Sequence, residues 1–257
     1  HVSPTGNDLG PELEGRLRGE LGFATVEFHR RLGSTSDRAK ELSAASVATP
    51  GIVVAEQQTA GRGRGQNRWA AAPGALTLSL LLDAPQASTL AWASLGAAVA
   101  VAEALEDMAR DRGAVVETQL KWPNDVLCAQ RKLCGILLET TASRWIVGVG
   151  INVNNPVPAE LAASAIALRE VTGHAESLSQ LLCAVVARIQ MRWQTEPPAL
   201  LAAWQSRCAL THRKVVISQG THHFEGTCEG VGEDGQLEVR GTAGRRRFAS
   251  GTVRWLT

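Results

Sequence analysis

Ile52-Val53-Val54-Ala55-Glu56-Gln57-Gln58-Thr59-Ala60-Gly61-Arg62-Gly63-Arg64 is an apolar run opening onto a basic glycine loop, and the loop closes at Arg68-Trp69. The run predicts a buried strand. The loop leaving it presents guanidinium groups and unobstructed backbone N–H groups, which can wrap a phosphate. Further along, Lys121-Trp122-Pro123-Asn124-Asp125 sets one ammonium, one amide and one carboxylate beside a stiff Trp-Pro pair that fixes their directions. Together the two segments describe a site for two anions.

Working outward, Leu9, Leu13, Leu17 and Leu21 recur every four residues and permit one short amphipathic helix near the start. A strand is predicted near Ala24 to Phe28, then a helix from about Ser36 to Ser46 with Ser34 or Thr35 available as its cap. Thr77 to Leu82 reads as a strand. Leu95, Ala98, Ala102, Leu105 and Ala109 mark a long helix from about Thr89 to Arg112 that packs on a sheet. Short strands over Glu117 to Lys121 and Val126 to Leu127 flank the Pro123 corner, and longer ones cover Leu133 to Thr141 and Trp145 to Asn152. A sheet edge near Ala142 to Asn152 is expected to be open to a partner strand. Leu178, Leu181, Leu182, Val185, Val186 and Ile189 define another helix, ended by Pro197-Pro198 before a shorter one.

After Thr211 the pattern changes to short strands punctuated by Glu233-Asp234-Gly235 and Ala243-Gly244 turns. The division expected is residues 1–210 as a catalytic domain and 211–257 as a small β module.

The 257 residues suffice for a sizeable core, and 44% hydrophobic content fits a globular protein. A net charge of +1 offers no general attraction to nucleic acid or anionic membrane, so anion binding must come from local arrangement. Arg245-Arg246-Arg247 and His222-His223 read as exposed hairpin decoration. Without an apolar stretch of membrane-spanning length or a signal-like start, the expected location is the cytoplasm. The five cysteines include no Cys-x-x-Cys pair, which argues against disulfides or zinc and leaves packed thiols, with Cys134 closest to the site motifs.

Five strings in order carry a family resemblance: Ser34-Thr35; Glu56 to Arg64; Lys121-Trp122-Pro123-Asn124-Asp125; Arg131-Lys132-Leu133-Cys134-Gly135-Ile136-Leu137-Leu138-Glu139; and Gly148-Val149-Gly150-Ile151-Asn152. Their order and spacing resemble biotin protein ligases of the monofunctional type, which have no N-terminal DNA-binding domain. The resemblance covers roughly residues 24 to 257. It implies an α+β fold: a mixed, largely antiparallel sheet packed with helices, like class II synthetases, followed by an SH3-like β-barrel.

The resemblance also implies ATP-dependent activation of biotin as an acyl-adenylate, biotinyl-5′-AMP, then biotinylation of a lysine on a biotin carboxyl carrier protein. ATP and biotin would be substrates, with Mg²⁺ on the phosphates. Neither DNA nor a membrane is an expected partner, and the chain would be a monomer or weak homodimer. Arg62 and Arg64 would hold the carboxylate and phosphates, with Gly61 and Gly63 letting the backbone approach. Lys132 would sit at the reacting carboxylate and α-phosphate, Lys121 nearer the polyphosphate. Asp125 would be either a metal contact or the base for the acceptor lysine. Asn124 and Trp69 are implied at the adenine, and Asn152 near the nucleotide. Ser34, Thr35, Gln58, Gly135 and Gly148 would line the biotin pocket. Trp69 reads equally as a core anchor closing the loop, and Ser34-Thr35 as a plain helix cap.

Two departures from the family pattern stand out. Gly65-Gln66-Asn67-Arg68 replaces a further glycine-arginine pair, so one cation is missing or shifted; this implies weaker loop closure over an adenylate, with Arg68 placed to substitute. Ser36 stands where an asparagine is usual. The rival readings are a lipoate–protein ligase and a non-catalytic biotin or nucleotide sensor.

Overall fold

The computed structural model describes residues 8–84, 90–141 and 143–256. The expected helix start at Thr89, residue Ala142 of the expected sheet edge, and residues 1–7 lie outside them.

Seven strands form the main sheet in the order β1-β2-β3-β7-β6-β5-β4. They are β1 (Thr25–His29), β2 (Gly51–Ala55), β3 (Leu76–Asp83), β4 (Thr118–Lys121), β5 (Asp125–Cys128), β6 (Arg131–Thr140) and β7 (Arg144–Ile151). β1 runs parallel to β2, and every other neighbouring pair is antiparallel. The mixed, mostly antiparallel sheet matches the expectation.

One expectation is corrected. The Ala142 to Asn152 segment is no edge: its strand β7 is hydrogen-bonded on both sides, to β3 and to β6, and its residues from Trp145 onward are buried. The run Trp145-Ile146-Val147-Gly148-Val149-Gly150-Ile151 is apolar or glycine at every position, which is the composition of a strand covered on both faces. The sheet's edges are β1 and β4.

Alternation along the strands separates two layers of helix. Ile52, Val54, Leu78 and Leu80 share the large core with α1 (Pro11–Gly19), α3 (Leu90–Asp111), α5 (Leu178–Arg192) and α6 (Pro197–Gln205). Alanines 97, 98, 100, 102, 104 and 109 of α3 are buried there, and small side chains at helical spacing let the helix lie close against its neighbours. Val53, Leu81 and Ile146 point to the opposite face and meet Ala39 and Leu42 of α2 (Thr35–Ala44). By the period of two, Thr77, Ser79, Gly148 and Gly150 lie on this same α2 face. Beside the start of α2, Gly148 and Gly150 line a cavity.

α2 forms as the sequence predicts. Ser34 is its N-cap, extended at φ −150°, and its hydroxyl accepts from the Asp37 N–H at 3.4 Å. A short helix α4 (Leu168–Thr172) was not anticipated; it ends at Gly173, whose φ of +81° suits glycine.

The C-terminal strands β8 (Lys214–Gln219), β9 (His222–Val231), β10 (Leu237–Gly241), β11 (Gly244–Phe248) and β12 (Thr252–Trp255) make an antiparallel sheet in the order β11-β10-β9-β8-β12. Where a closed barrel was expected, these pairings leave β11 and β12 as edges. The sheet seats against the first: Trp122 Nε1 donates to the Gly235 carbonyl at 3.2 Å, and a Cβ on Gly235 would meet the Ala91 Cβ at 2.8 Å. No described helix is long and apolar enough to cross a membrane.

Candidate active site

A cavity of about 490 Å³ lies on the α2 face, bounded by the glycine loop, the β4–β5 corner, strands β6 and β7, and the C-terminal sheet. Register sorts its walls into two rows. Ser79 pairs with Gly148, while Thr77 pairs with Gly150, which pairs in turn with Gly135. The rows are two residues, about 7 Å, apart along the strands.

The first row is neutral and polar. Ser79 donates to the Thr35 hydroxyl at 2.8 Å and shares a 3.0 Å contact with Ser36 Oγ. The Thr35 N–H donates to Gln58 Oε1 at 2.7 Å. A Cβ on Gly148 would lie 2.7 Å from Ser36 Oγ, so glycine there keeps the strand and α2 in close approach. Ser34, Thr35, Gln58 and Gly148 all line the cavity. Ser34 and Thr35 are therefore both helix start and cavity wall.

The second row is cationic and aromatic. Trp69 lies flat against β7: a Cβ on Gly150 would come 2.4 Å from its ring, and one on Gly135 would come 3.4 Å. The Lys132 ammonium is 5.9 Å from the Trp69 ring centroid and 2.7 Å from Asp125 Oδ1. Asp125 pairs across the hairpin with Lys121, so the Lys121 to Asp125 string folds into the β4–β5 corner that brings both lysines to one wall. Burial lowers the Lys121 pKa, with Asp125 opposing the shift and Lys132 adding to it. Asn124 clasps β6: its amide donates to the Ile136 carbonyl at 2.5 Å, and its own carbonyl accepts from the Ile136 N–H at 2.9 Å.

The glycine loop is a small hairpin. Gly63 N–H donates to the Asn67 carbonyl at 2.8 Å and Trp69 N–H to the Gly61 carbonyl at 3.0 Å. Arg64 reaches over the cavity to the Gly251 carbonyl at 3.3 Å, and burial draws its pKa down. Arg68 also lines the cavity and donates to the Thr59 carbonyl at 3.5 Å. Arg62 sits between Asp37, at 3.1 Å, and Glu139, which it also contacts, so its charge is shared with acids of α2 and β6. Lys40 completes that cluster at 2.9 Å from Glu139.

The expected residues Gly61 and Asn152 do not line the cavity. Gly61 has a packing duty, since a Cβ there would lie 2.4 Å from the Trp69 carbonyl oxygen. Asn152 is buried past the end of β7, where its side-chain oxygen accepts from Asn155 at 3.1 Å. The residues that sequence reasoning missed come from afar. Gln219, Gly251 and Thr252 of the second sheet line the cavity, and Asp37 and Glu139 hold Arg62. Glu139 ends one of the five family strings, though without a role assigned to it; no local pattern marks the others. Cys134 is fully buried, and burial pushes its thiol far up, away from reactivity.

The described residues hold no cluster of three or more His, Cys, Asp or Glu able to bind a metal. Asp125 is a lone carboxylate in the cationic row. That donor set fits a magnesium ion carried mainly by substrate phosphates, not one caged by protein.

The half of the chain that builds this cavity places it in a class. Residues 28–155 match the biotin/lipoate A/B protein ligase family. A biotin–[acetyl-CoA-carboxylase] ligase of Paracoccus denitrificans is 34% identical, covering 87% of this chain and 97% of that protein. One from Mycobacterium tuberculosis is 33% identical over 89% of this chain and 90% of its own length. The biotin protein ligase of Aquifex aeolicus, solved in complex with biotin and ATP, superposes with a TM-score of 0.82 at 28% identity, covering 91% of this chain and 100% of that one. The chain belongs to the biotin protein ligase family.

Proposed function

We propose that this chain activates biotin with ATP as biotinyl-5′-AMP and transfers the biotinyl group to a lysine of a biotin carboxyl carrier domain. The observation that carries the reading is the pairing, in one cavity, of neutral hydrogen-bonding groups beside Gly148 with the cations Arg64, Lys121 and Lys132, the two lysines gathered at Asp125, which is in register with Gly135 and Gly150, two residues (about 7 Å) further along the strands. Such a cavity suits a ligand with a polar but uncharged head and an anionic end, beside a second anion.

In the first step the biotin carboxylate oxygen attacks the α-phosphorus and pyrophosphate leaves. The two reactants repel: unit charges about 4 Å apart at an effective dielectric near 20 interact by roughly 4 kcal/mol. Cations fixed in a partly dry site offset that repulsion and stabilise the charge that builds up. Lys132, Arg64 and Lys121 take that role, with Trp69 as the wall that keeps water from the mixed anhydride. Asp125 would contact a magnesium ion travelling with the phosphates, an ion that neutralises phosphate charge. In the second step the acceptor amine attacks the acyl carbon, AMP leaves, and an amide remains. Asp125, the carboxylate beside Lys132, would take the amine's proton once Lys132 turns to the phosphate, a reading supported by their contact. The protein forms no covalent intermediate.

The acceptor is proposed from the names of the two bacterial relatives, both acetyl-CoA-carboxylase ligases. Biotin-dependent exchange of labelled pyrophosphate into ATP, run beside lipoate and with magnesium, tests the reading. Exchange with biotin alone is the expected outcome. Exchange with lipoate instead would move the substrate assignment, and none with either would leave a sensor.

A further inference from the structure

Trp255, in the last strand of the C-terminal sheet, has two cations over its indole: Lys121 Nζ at 4.9 Å from the ring centroid and Arg213 at 5.5 Å. The other cations of the cavity are held differently. Lys132 is matched by the Asp125 carboxylate, Arg62 by Asp37 and Glu139, and Arg64 and Arg68 by backbone carbonyls of Gly251 and Thr59. Among the described residues Lys121 has no carboxylate in ion-pair contact, and the aromatic face is what orients its ammonium.

The difference matters chemically. A carboxylate partner cancels the charge that an incoming phosphate needs and must be displaced before the phosphate binds. An aromatic face attracts the ammonium through the ring quadrupole and leaves its charge uncompensated. Trp255 does not line the cavity, whereas Lys121 does, so its aromatic face would act on a bound ligand through the lysine. The arrangement also uses one of the two segments that reach the cavity from the second sheet, the Ser250 to Val253 approach to Trp255.

We propose that Trp255 is a positioning residue for nucleotide capture: it aims the Lys121 ammonium into the cavity without neutralising it, so the C-terminal sheet sets the affinity for polyphosphate. The proposal rests on the reading of Lys121 as a phosphate contact and adds to it the residue that makes that contact effective.

The test is steady-state pyrophosphate exchange on the full chain with Trp255→Leu, Trp255→Phe, Lys121→Ala and the double variant Lys121→Ala/Trp255→Leu. Leucine keeps apolar packing and removes the ring, so the comparison separates packing from the cation–π contact. The expected result for Trp255→Leu is a KM for ATP raised about three- to tenfold with the KM for biotin and the Tm unchanged. Trp255→Phe should recover most of the loss, and the double variant should be no worse than Lys121→Ala alone. If Lys121→Ala raises the KM for ATP and Trp255→Leu does not, the proposal is overturned and the lysine assignment stands. Additive effects in the double variant, or an equal rise in the KM for biotin, also overturn it by showing a general structural role. An unchanged KM for ATP in Lys121→Ala removes the lysine assignment and the proposal together.

Discussion

Lys132 places its ammonium 2.7 Å from the Asp125 carboxylate, on the wall that faces Trp69. In the function proposed above, the pair stands where a carboxylate and a phosphate would meet. Lys132→Ala should lower kcat for pyrophosphate exchange about 10²- to 10³-fold, as loss of one fixed donor to a developing anion does, with the Tm little changed. Wild-type turnover in Lys132→Ala would remove this lysine from the chemistry. Asp125→Asn separates the steps: exchange should survive better than transfer to an acceptor if the carboxylate receives the amine's proton.

Arg62 is braced by Asp37 and Glu139, which tie the glycine loop to α2 and β6. This gives Arg62 the position of a loop latch. Glu139→Gln should weaken the latch by on the order of 1.5 kcal/mol, roughly tenfold in equilibrium terms, since a hydrogen bond to a charged group is of that size. The readout is the dissociation rate of preformed adenylate. Unchanged release would assign the cluster to surface decoration.

The Trp69 indole and Gly150 touch so closely that a Cβ on Gly150 would sit 2.4 Å from the ring. Gly150→Ala should push the indole off the strand, costing about 1 to 3 kcal/mol of stability by overpacking and opening the cationic row to water. Thermal melts and exchange assays read the two effects separately. A variant as stable and active as the natural chain would show that the loop, not the strand, seats the tryptophan.

Burial lowers the Lys121 pKa below the ordinary lysine value of 10.5. The ammonium is the form that binds phosphate, so kcat/KM for ATP should fall as pH rises through that lowered value, earlier than for an exposed lysine. Lys121→Arg should move the alkaline limb outward. An alkaline limb that stays in place in Lys121→Arg would mean another group titrates there.

Glu27 accepts from Arg38 and His29, and the Arg38 hydrogen bonds hold its carboxyl down at about 2. A carboxyl whose folded-state pKa is depressed contributes stability above its unfolded value, and that contribution is lost as pH falls from about 4.5 toward 2. Glu27→Gln should therefore flatten the acid side of the Tm profile in that window. An identical acid limb in both proteins would show that Arg38 does not stabilise the β1 end of the sheet.

Much of this protein was legible in its residues. Apolar runs and alternation located β2, β3, β6 and β7, and three-four spacing located α3 and α5, because burial of one face is a local demand with a local period. The arginine loop and the Lys121 corner were read from their own contiguous chemistry, whereas Lys132 was named by the family resemblance; the three cations all line the cavity. The place of β7 was misread as an edge, since a continuous apolar run states that both faces are covered but not which strands cover its two sides.

The sequence by itself determined most of the elements and the basic glycine loop, which follow from side-chain period and turn chemistry within short windows, while the α+β class came from the family resemblance of five strings. Only the tertiary structure decided which of the cavity's cations are matched by carboxylates. Asp125 and Glu139 occupy Lys132 and Arg62, while Lys121 faces Trp255 from the far end of the chain. Those pairings depend on distances between segments that no local pattern encodes, and the strength of a charge in a cavity depends on its nearest neighbours in space.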